Sequence, residues 1–152
     1  MKRFLFFFLA TFLFACQSKN VSIEAQTTNT KAEKPTSSIQ KLPPQQFATQ
    51  LQQHPNAVIL DVRTPTEFAD GYIDGAININ VLEDDFASNV NAQIQLNQTI
   101  FVYCKAGGRS ARAANVLQEM GYAKIYDLYG GYTDWRKAAT TTLPDSLKRN
   151  TH

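Results

Sequence analysis

The chain has 152 residues, 43% of them hydrophobic and 18% charged, with two cysteines, seven glycines and six prolines. That composition excludes a wholly disordered, collagenous or disulfide-stapled protein and suits one domain around one core. Fifteen basic against thirteen acidic residues give +2, and without Lys2 and Arg3 the charges balance, so the electrostatic footprint of a nucleic-acid binder is missing.

Lys2 and Arg3 precede an apolar run from Phe4 to Ala15, interrupted only by Thr11. This is the pattern of a secretory leader. A bilayer-spanning helix takes roughly 20 apolar residues, more than this run supplies. Leu13-Phe14-Ala15-Cys16 resembles a bacterial lipobox, although Phe14 is bulky for its position. The resemblance implies a lipoprotein signal peptide over 1–15, cut before Cys16, which becomes the lipidated N-terminus. The plainer alternative is an ordinary leader cleaved near Ala15, with Cys16 an incidental thiol. The expectation is an exported protein anchored by lipid to a bacterial membrane, on the periplasmic face of the outer membrane if the host is Gram-negative. From Gln17 to Ser38 polar residues dominate without periodicity, so 16–38 is expected to be a flexible tether.

Beyond it the periods alternate. Pro43 and Pro44 open a short helix carrying Phe47, Ala48 and Leu51, which ends at His54-Pro55. His54 itself is expected to be exposed and idle. Ala57 to Val62 is an apolar run broken by Asp61, the pattern of a strand buried on both faces. Thr64-Pro65-Thr66-Glu67 is a capping box that starts a helix. Gly71 and Gly75 bracket a turn into a second short strand, Ala76 to Ile79, and a helix is expected near Asp84 to Gln93. Thr99 to Tyr103, β-branched and aromatic throughout, is the strongest strand. It runs into Cys104-Lys105-Ala106-Gly107-Gly108-Arg109-Ser110. From Ser110 the spacing of Ala113, Val116, Leu117 and Met120 predicts a helix ended by Gly121. Lys124 to Leu128 reads as a strand, and Gly130-Gly131 leads to a last helix around Trp135. Trp135, Tyr126 and Phe101 are expected in the core. Strands alternating with helices predict a parallel sheet covered on both faces.

Chemistry is expected where the strongest strand ends, because ligands in open α/β sheets sit beyond the carboxyl ends of strands. Cys104 stands there. Gly107 and Gly108 would let the loop curl so that several amides form a nest around the sulfur, and the helix beginning near Ser110 adds partial positive charge. Lys105 and Arg109 add two cations, and all these effects favour thiolate and small anions. Arg109 reads equally as a substrate contact and as a clamp tying the loop to Asp61 or another carboxylate. Asp61, Arg63 and Ser110 read as supporting scaffold. The histidines are far apart in sequence, no Cys-x-x-Cys occurs and the glycine pair lacks the phosphate-loop pattern, so no metal and no cofactor is expected.

Asp61-Val62-Arg63, Glu67-Phe68, Gly71 to Asn78, the Cys104 to Arg109 loop with Ser110-Ala111, and Leu128 to Gly131 with Trp135 together resemble a single-domain rhodanese. The resemblance implies a domain over 39–144, followed by a polar tail over 145–152. It implies an α/β fold with a five-stranded parallel sheet flanked by helices on both faces. Its implied activity is thiosulfate sulfurtransfer through a persulfide on Cys104, with Lys105 to Arg109 as the cradle for the persulfide and the donor's sulfonate. The implied partners are a small sulfur-containing anion, a thiol or cyanide acceptor, and the membrane through a lipid anchor; a monomer is expected. Four residues separate Cys104 from Arg109, whereas phosphatases of the same architecture have five and a wider ring. The family often has Gly-His-Ile-Pro-Gly-Ala where this chain has Tyr72 and Asp74, which puts that turn, rather than the cysteine loop, in question. If Cys16 is lipidated, Cys104 has no disulfide partner. Two other uses of the same cysteine remain open: a sulfur carrier or binding module with little thiosulfate turnover, and a thiol redox or arsenate-handling enzyme.

Overall fold

A computed structural model describes residues 37–143. The leader, Cys16, nearly all of the tether and the tail lie outside the described residues.

Five strands form one parallel sheet in the order β1-β5-β4-β2-β3. They are β1 (Ser38–Leu42), β2 (Val58–Asp61), β3 (Ala76–Asn78), β4 (Ile100–Tyr103) and β5 (Lys124–Leu128). The helices are α1 (Pro44–Gln53), α2 (Pro65–Ala69), α3 (Phe86–Gln93), α4 (Gly108–Glu119) and α5 (Gly131–Thr141). This is the expected α/β architecture. Parallel strands need crossover connections, and each helix up to α4 supplies one.

The two-residue period of the strands sorts side chains to opposite faces. Ile100, Val102 and Cys104 point to the face covered by α3 and α4, where they meet Val90, Ala113 and Leu117. Phe101 and Tyr103 point to the face covered by α1 and α5, where Phe47, Trp135 and Ala138 pack. Phe47 stands edge-on to both Phe101 and Trp135, with ring centroids 5.1 and 5.9 Å apart. Among the described residues no helix is long and apolar enough to cross a membrane.

Three expectations need correction. The tether was expected to run through Ser38 and the domain to start at Ile39, but Ser38 already belongs to β1, an edge strand paired with β5 from Ser38↔Lys124 to Leu42↔Leu128. Ser37 also donates through Oγ to the Tyr122 carbonyl at 2.7 Å. β1 escapes detection because its side chains are only half-buried or exposed; backbone pairing holds it, with Lys41 3.7 Å from the buried Asp127 carboxylate. The helix expected from Ser110 starts two residues earlier, at Gly108. His54 is half-buried rather than exposed, its ring against Phe101 and Tyr126 and its Nδ1 2.8 Å from the Gln50 carbonyl oxygen.

Candidate active site

The carboxyl ends of β2, β4 and β5 converge on the loop that β4 feeds into α4. Cys104 is its first residue, 1% exposed, and the thiol accepts the Gly107 N–H at 3.1 Å. Gly107 caps α4 in the left-handed region, φ +95°. A side chain there would carry the conformational penalty of that region, although the space around it is open enough for a Cβ. The sulfur therefore sits at the positive end of a twelve-residue helix.

Of the loop amides expected to form a nest around the sulfur, that of Gly107 donates to Sγ. The amides of Lys105, Ala106, Gly108 and Arg109 meet no acceptor among the described residues, which leaves donors in the loop for an incoming anion. Gly108 is the first helical residue and its φ is not positive, so the left-handed turn of the loop lies at Gly107.

The loop is fastened from outside by α5. Tyr132 N–H donates to the Cys104 carbonyl at 2.8 Å and Thr133 N–H to that of Lys105 at 3.0 Å, reinforced by Thr133 Oγ1 at 2.9 Å. Two amides at the start of a helix thus meet carbonyls of the cysteine loop. The approach requires Gly131: a Cβ there would overlap the Cys104 carbonyl oxygen and lie 2.7 Å from the Ala106 amide nitrogen. Inside the loop, buried Ser110 donates through Oγ to the Gly107 carbonyl at 3.3 Å.

Two arginines flank this loop, each with a carboxylate. Arg63 and Asp61 are 4% and 0% exposed; Nε lies 2.9 Å from both Asp61 oxygens and Nη2 2.5 Å from Oδ2. Nη2 also donates to the Gly71 carbonyl at 2.6 Å, and the guanidinium lies 4.3 Å from the Tyr132 ring centroid. Burial opposes the Arg63 charge, but the Asp61 carboxylate more than offsets it, and the pKa is raised. Arg109, in contrast, grips Glu67 with two parallel bonds of 2.6 and 2.7 Å across the loop's mouth. It therefore does not tie the loop to Asp61. The Arg109 bond, helped by the Thr64 capping box, lowers the Glu67 carboxyl to about 2. Glu67 in turn raises Arg109, with smaller contributions from Cys104 and Asp61.

Lys105 and Ala106 are exposed. Lys105 opens onto a cleft of ≈570 Å³ whose walls include Arg63, Glu67, Tyr132, Arg136 and Thr140. The Tyr132 hydroxyl is buried without a hydrogen-bond partner among the described residues. No group of three or more His, Cys, Asp or Glu side chains that could hold a metal occurs among the described residues.

Sequence reasoning did not single out Glu67, Gly131 or Arg136 as site residues. Glu67 carried a signal, since the capping box pins its backbone at the start of α2, but its pairing with Arg109 spans 42 residues. The unfamiliar turn is intact: Ala76 N–H donates to the Ile73 carbonyl at 3.0 Å, Asp74 is exposed and Tyr72 stacks on Phe68 at 4.3 Å.

Comparison with known proteins places this arrangement in context. Residues 44–138 match the model of the rhodanese-like domain. Thiosulfate sulfurtransferase 16, chloroplastic, of Arabidopsis thaliana is 36% identical over 92 residues, which are 55% of this chain and 77% of that protein. Thiosulfate sulfurtransferase GlpE of Pseudomonas putida is 35% identical over 101 residues, covering 66% of this chain and 87% of the relative. The crystal structure of a rhodanese-like domain protein from Staphylococcus aureus superposes with a TM-score of 0.55 at 28% identity, covering 63% of this chain and 90% of that one.

Proposed function

The chain belongs to the rhodanese-like family, and from that premise we propose that it is a thiosulfate-type sulfurtransferase that carries a sulfane sulfur on Cys104. The Cys104 thiolate attacks the outer sulfur of thiosulfate; the S–S bond breaks and its electron pair leaves with sulfite. The acceptor, cyanide or a thiolate, then attacks the outer sulfur of the persulfide, and the electron pair of the broken bond returns to Sγ. No oxidant or reductant is consumed.

The observation that carries this reading is the seat of the sulfur: a thiol at the N-terminus of α4, bonded to the Gly107 amide, in a loop whose other amides from Lys105 to Arg109 have no acceptor among the described residues. Negative charge passes between Sγ and the outer sulfur in both half-reactions, and donors already in place stabilise it without reorganisation. The donor reaches the sulfur from the exposed side of Lys105 and Ala106, where the Lys105 ammonium attracts its sulfonate. Arg109 is committed to Glu67, so its part is to hold the loop. The relatives named thiosulfate sulfurtransferases support the reaction class.

The same proposal has the domain exported and anchored to a bacterial membrane through a lipid on Cys16, at the periplasmic face of the outer membrane if the host is Gram-negative, as a monomer that needs no cofactor. The leader pattern supports the lipid anchor, and Cys16→Ser is expected to move the protein from the membrane to the soluble fraction of a Gram-negative host. The test of the activity is thiocyanate release from thiosulfate and cyanide. Turnover that disappears in Cys104→Ser supports the reading; equal turnover in that variant overturns it. Sulfur loading without thiocyanate release would make the protein a carrier rather than an enzyme.

A further inference from the structure

Asp127 is a buried carboxyl that the sulfur chemistry above does not use. It is 2% exposed, its Oδ1 has no hydrogen-bond partner among the described residues, and its Oδ2 lies 3.7 Å from the Lys41 ammonium on β1. An ionisable group taken out of water without its full set of bonds is costly. Its place is behind the cysteine loop. Asp127 pairs with Val102 across β5 and β4, so the two share the face that α4 covers, and Cys104 follows Val102 on that same face. With ~4.8 Å between strands and ~3.3 Å per residue along one, Asp127 and Cys104 are diagonal neighbours about 8 Å apart at the backbone.

Ser110, fully buried in the first turn of α4, connects the two. Its Oγ donates to the Gly107 carbonyl at 3.3 Å, long for an O–H···O bond. The same hydroxyl bears on the Asp127 carboxyl, where it favours the ionised form. One hydroxyl proton therefore faces two acceptors and serves one at a time. The acceptor in the loop is the residue whose N–H donates to Sγ and whose left-handed backbone aims that amide. A neutral Asp127 removes the competition: its own O–H donates to Ser110 Oγ, the Ser110 proton stays on the Gly107 carbonyl, and the orphaned carboxyl oxygen gains a partner. An ionised Asp127 draws the Ser110 proton to itself, leaves the Gly107 carbonyl to the Ala111 amide, and sets a negative charge on the face where the sulfur carries its own. The other titratable groups facing it are Lys41 from β1 and Cys104 from the end of β4. Burial pushes the Asp127 carboxyl up, and outweighs the downward pull of Ser110 and Lys41.

Resting on the sulfurtransferase reading, we propose that Asp127 is a positioning residue for the cysteine loop: protonated, it leaves Ser110 holding Gly107 with its N–H on Sγ, and ionised, it draws Ser110 away. The effect reaches the sulfur through Ser110 and Gly107, and through the carboxylate's own field. Asp127 touches neither donor nor acceptor and exchanges its proton with solvent, outside the bond changes at sulfur. Ionisation of Asp127 therefore slows sulfur transfer.

Two readings on the full chain test this. The first is the pH profile of thiocyanate release for the wild type and for Asp127→Asn, which fixes the neutral form without changing the shape of the side chain. Ionisations common to both proteins cancel in the ratio of their rates. That ratio, variant over wild type, is expected to rise several-fold as pH passes through the Asp127 midpoint, which the carboxyl carbon resonance of ¹³C-labelled aspartate supplies. Lys41→Met keeps the carboxyl but removes the cation that favours its ionised form, so the fall in rate should move to higher pH; it carries the test if Asp127→Asn does not fold. The second reading needs no turnover. In a Cys104→Ser background, which removes the thiol's own titration, the Gly107 amide shift should follow the Asp127 midpoint, and adding Ser110→Ala should uncouple them. A flat ratio of rates, a fall that Lys41→Met leaves in place, or a Gly107 amide that follows Asp127 equally without the Ser110 hydroxyl overturns the proposal. Coupled shifts in a protein that releases no thiocyanate would uphold the link from Asp127 to the loop and refute the sulfurtransferase reading; turnover with a flat ratio would do the reverse.

Discussion

The two arginine–carboxylate pairs flanking the cysteine loop use the same chemistry in opposite settings. Asp61–Arg63 is within two residues in sequence, almost fully buried, and also holds the Gly71 carbonyl. Glu67–Arg109 joins elements 42 residues apart and leaves each side chain about a quarter exposed. A buried pair is costly to break because the survivor keeps an uncompensated charge, whereas a partly exposed pair is worth little in stability. The inner pair therefore belongs to the scaffold under the site, and the outer pair is an adjustable clasp on the loop. Function can depend most on the pair that stability depends on least.

That contrast can be broken at several points. Asp61→Ala strands the Arg63 guanidinium and is expected to cost about 3–5 kcal/mol, seen as a fall of roughly 10 °C or more in the thermal midpoint. A loss below about 1 kcal/mol would mean that the inner pair is no more structural than the outer. Gly131→Ala touches neither pair but pushes a methyl group into the Cys104 and Ala106 backbone. It should cost at least the ~1–2 kcal/mol of its left-handed conformation and abolish thiocyanate release, because the loop cannot stay seated on α5. Glu67→Gln should lower the unfolding free energy from urea titration by less than Asp61→Ala does, while slowing sulfur transfer several-fold through a loosened loop.

Acid sharpens the same contrast. The Glu67 carboxyl falls from 4.5 to about 2 in the folded state. A depressed carboxyl stabilises the fold fully above its unfolded value and loses that contribution as pH falls through its folded one. The wild type should therefore lose stability to Glu67 protonation between about pH 4.5 and 2, and Glu67→Gln should lack that component. Denaturant melts of both proteins across this range check it; identical profiles would show that the clasp contributes nothing.

The distribution of these roles explains what could be read in the chain. β2, β4 and β5 were legible because continuous apolar runs such as Ile100 to Tyr103 mark strands buried on both faces. Cys104 was legible because it follows such a strand and precedes glycines and cations. β1 was not, since Ser-Ile-Gln-Lys-Leu is an edge strand whose stability lies in backbone pairing with β5. The partner of Arg109 was not legible because a fold, and no local spacing, brings Glu67 to it. Nor did residue types show that Gly131 must be glycine at the cysteine loop, since the close approach comes from the packing of α5 against that loop.

The account rests on Cys104 holding a second sulfur atom, and intact-mass spectrometry of the purified domain after incubation with thiosulfate measures that directly. The expected result is an adduct of ~32 Da in the wild type, removed by cyanide and absent from Cys104→Ser. An unmodified wild-type mass, or the same adduct on Cys104→Ser, would contradict it.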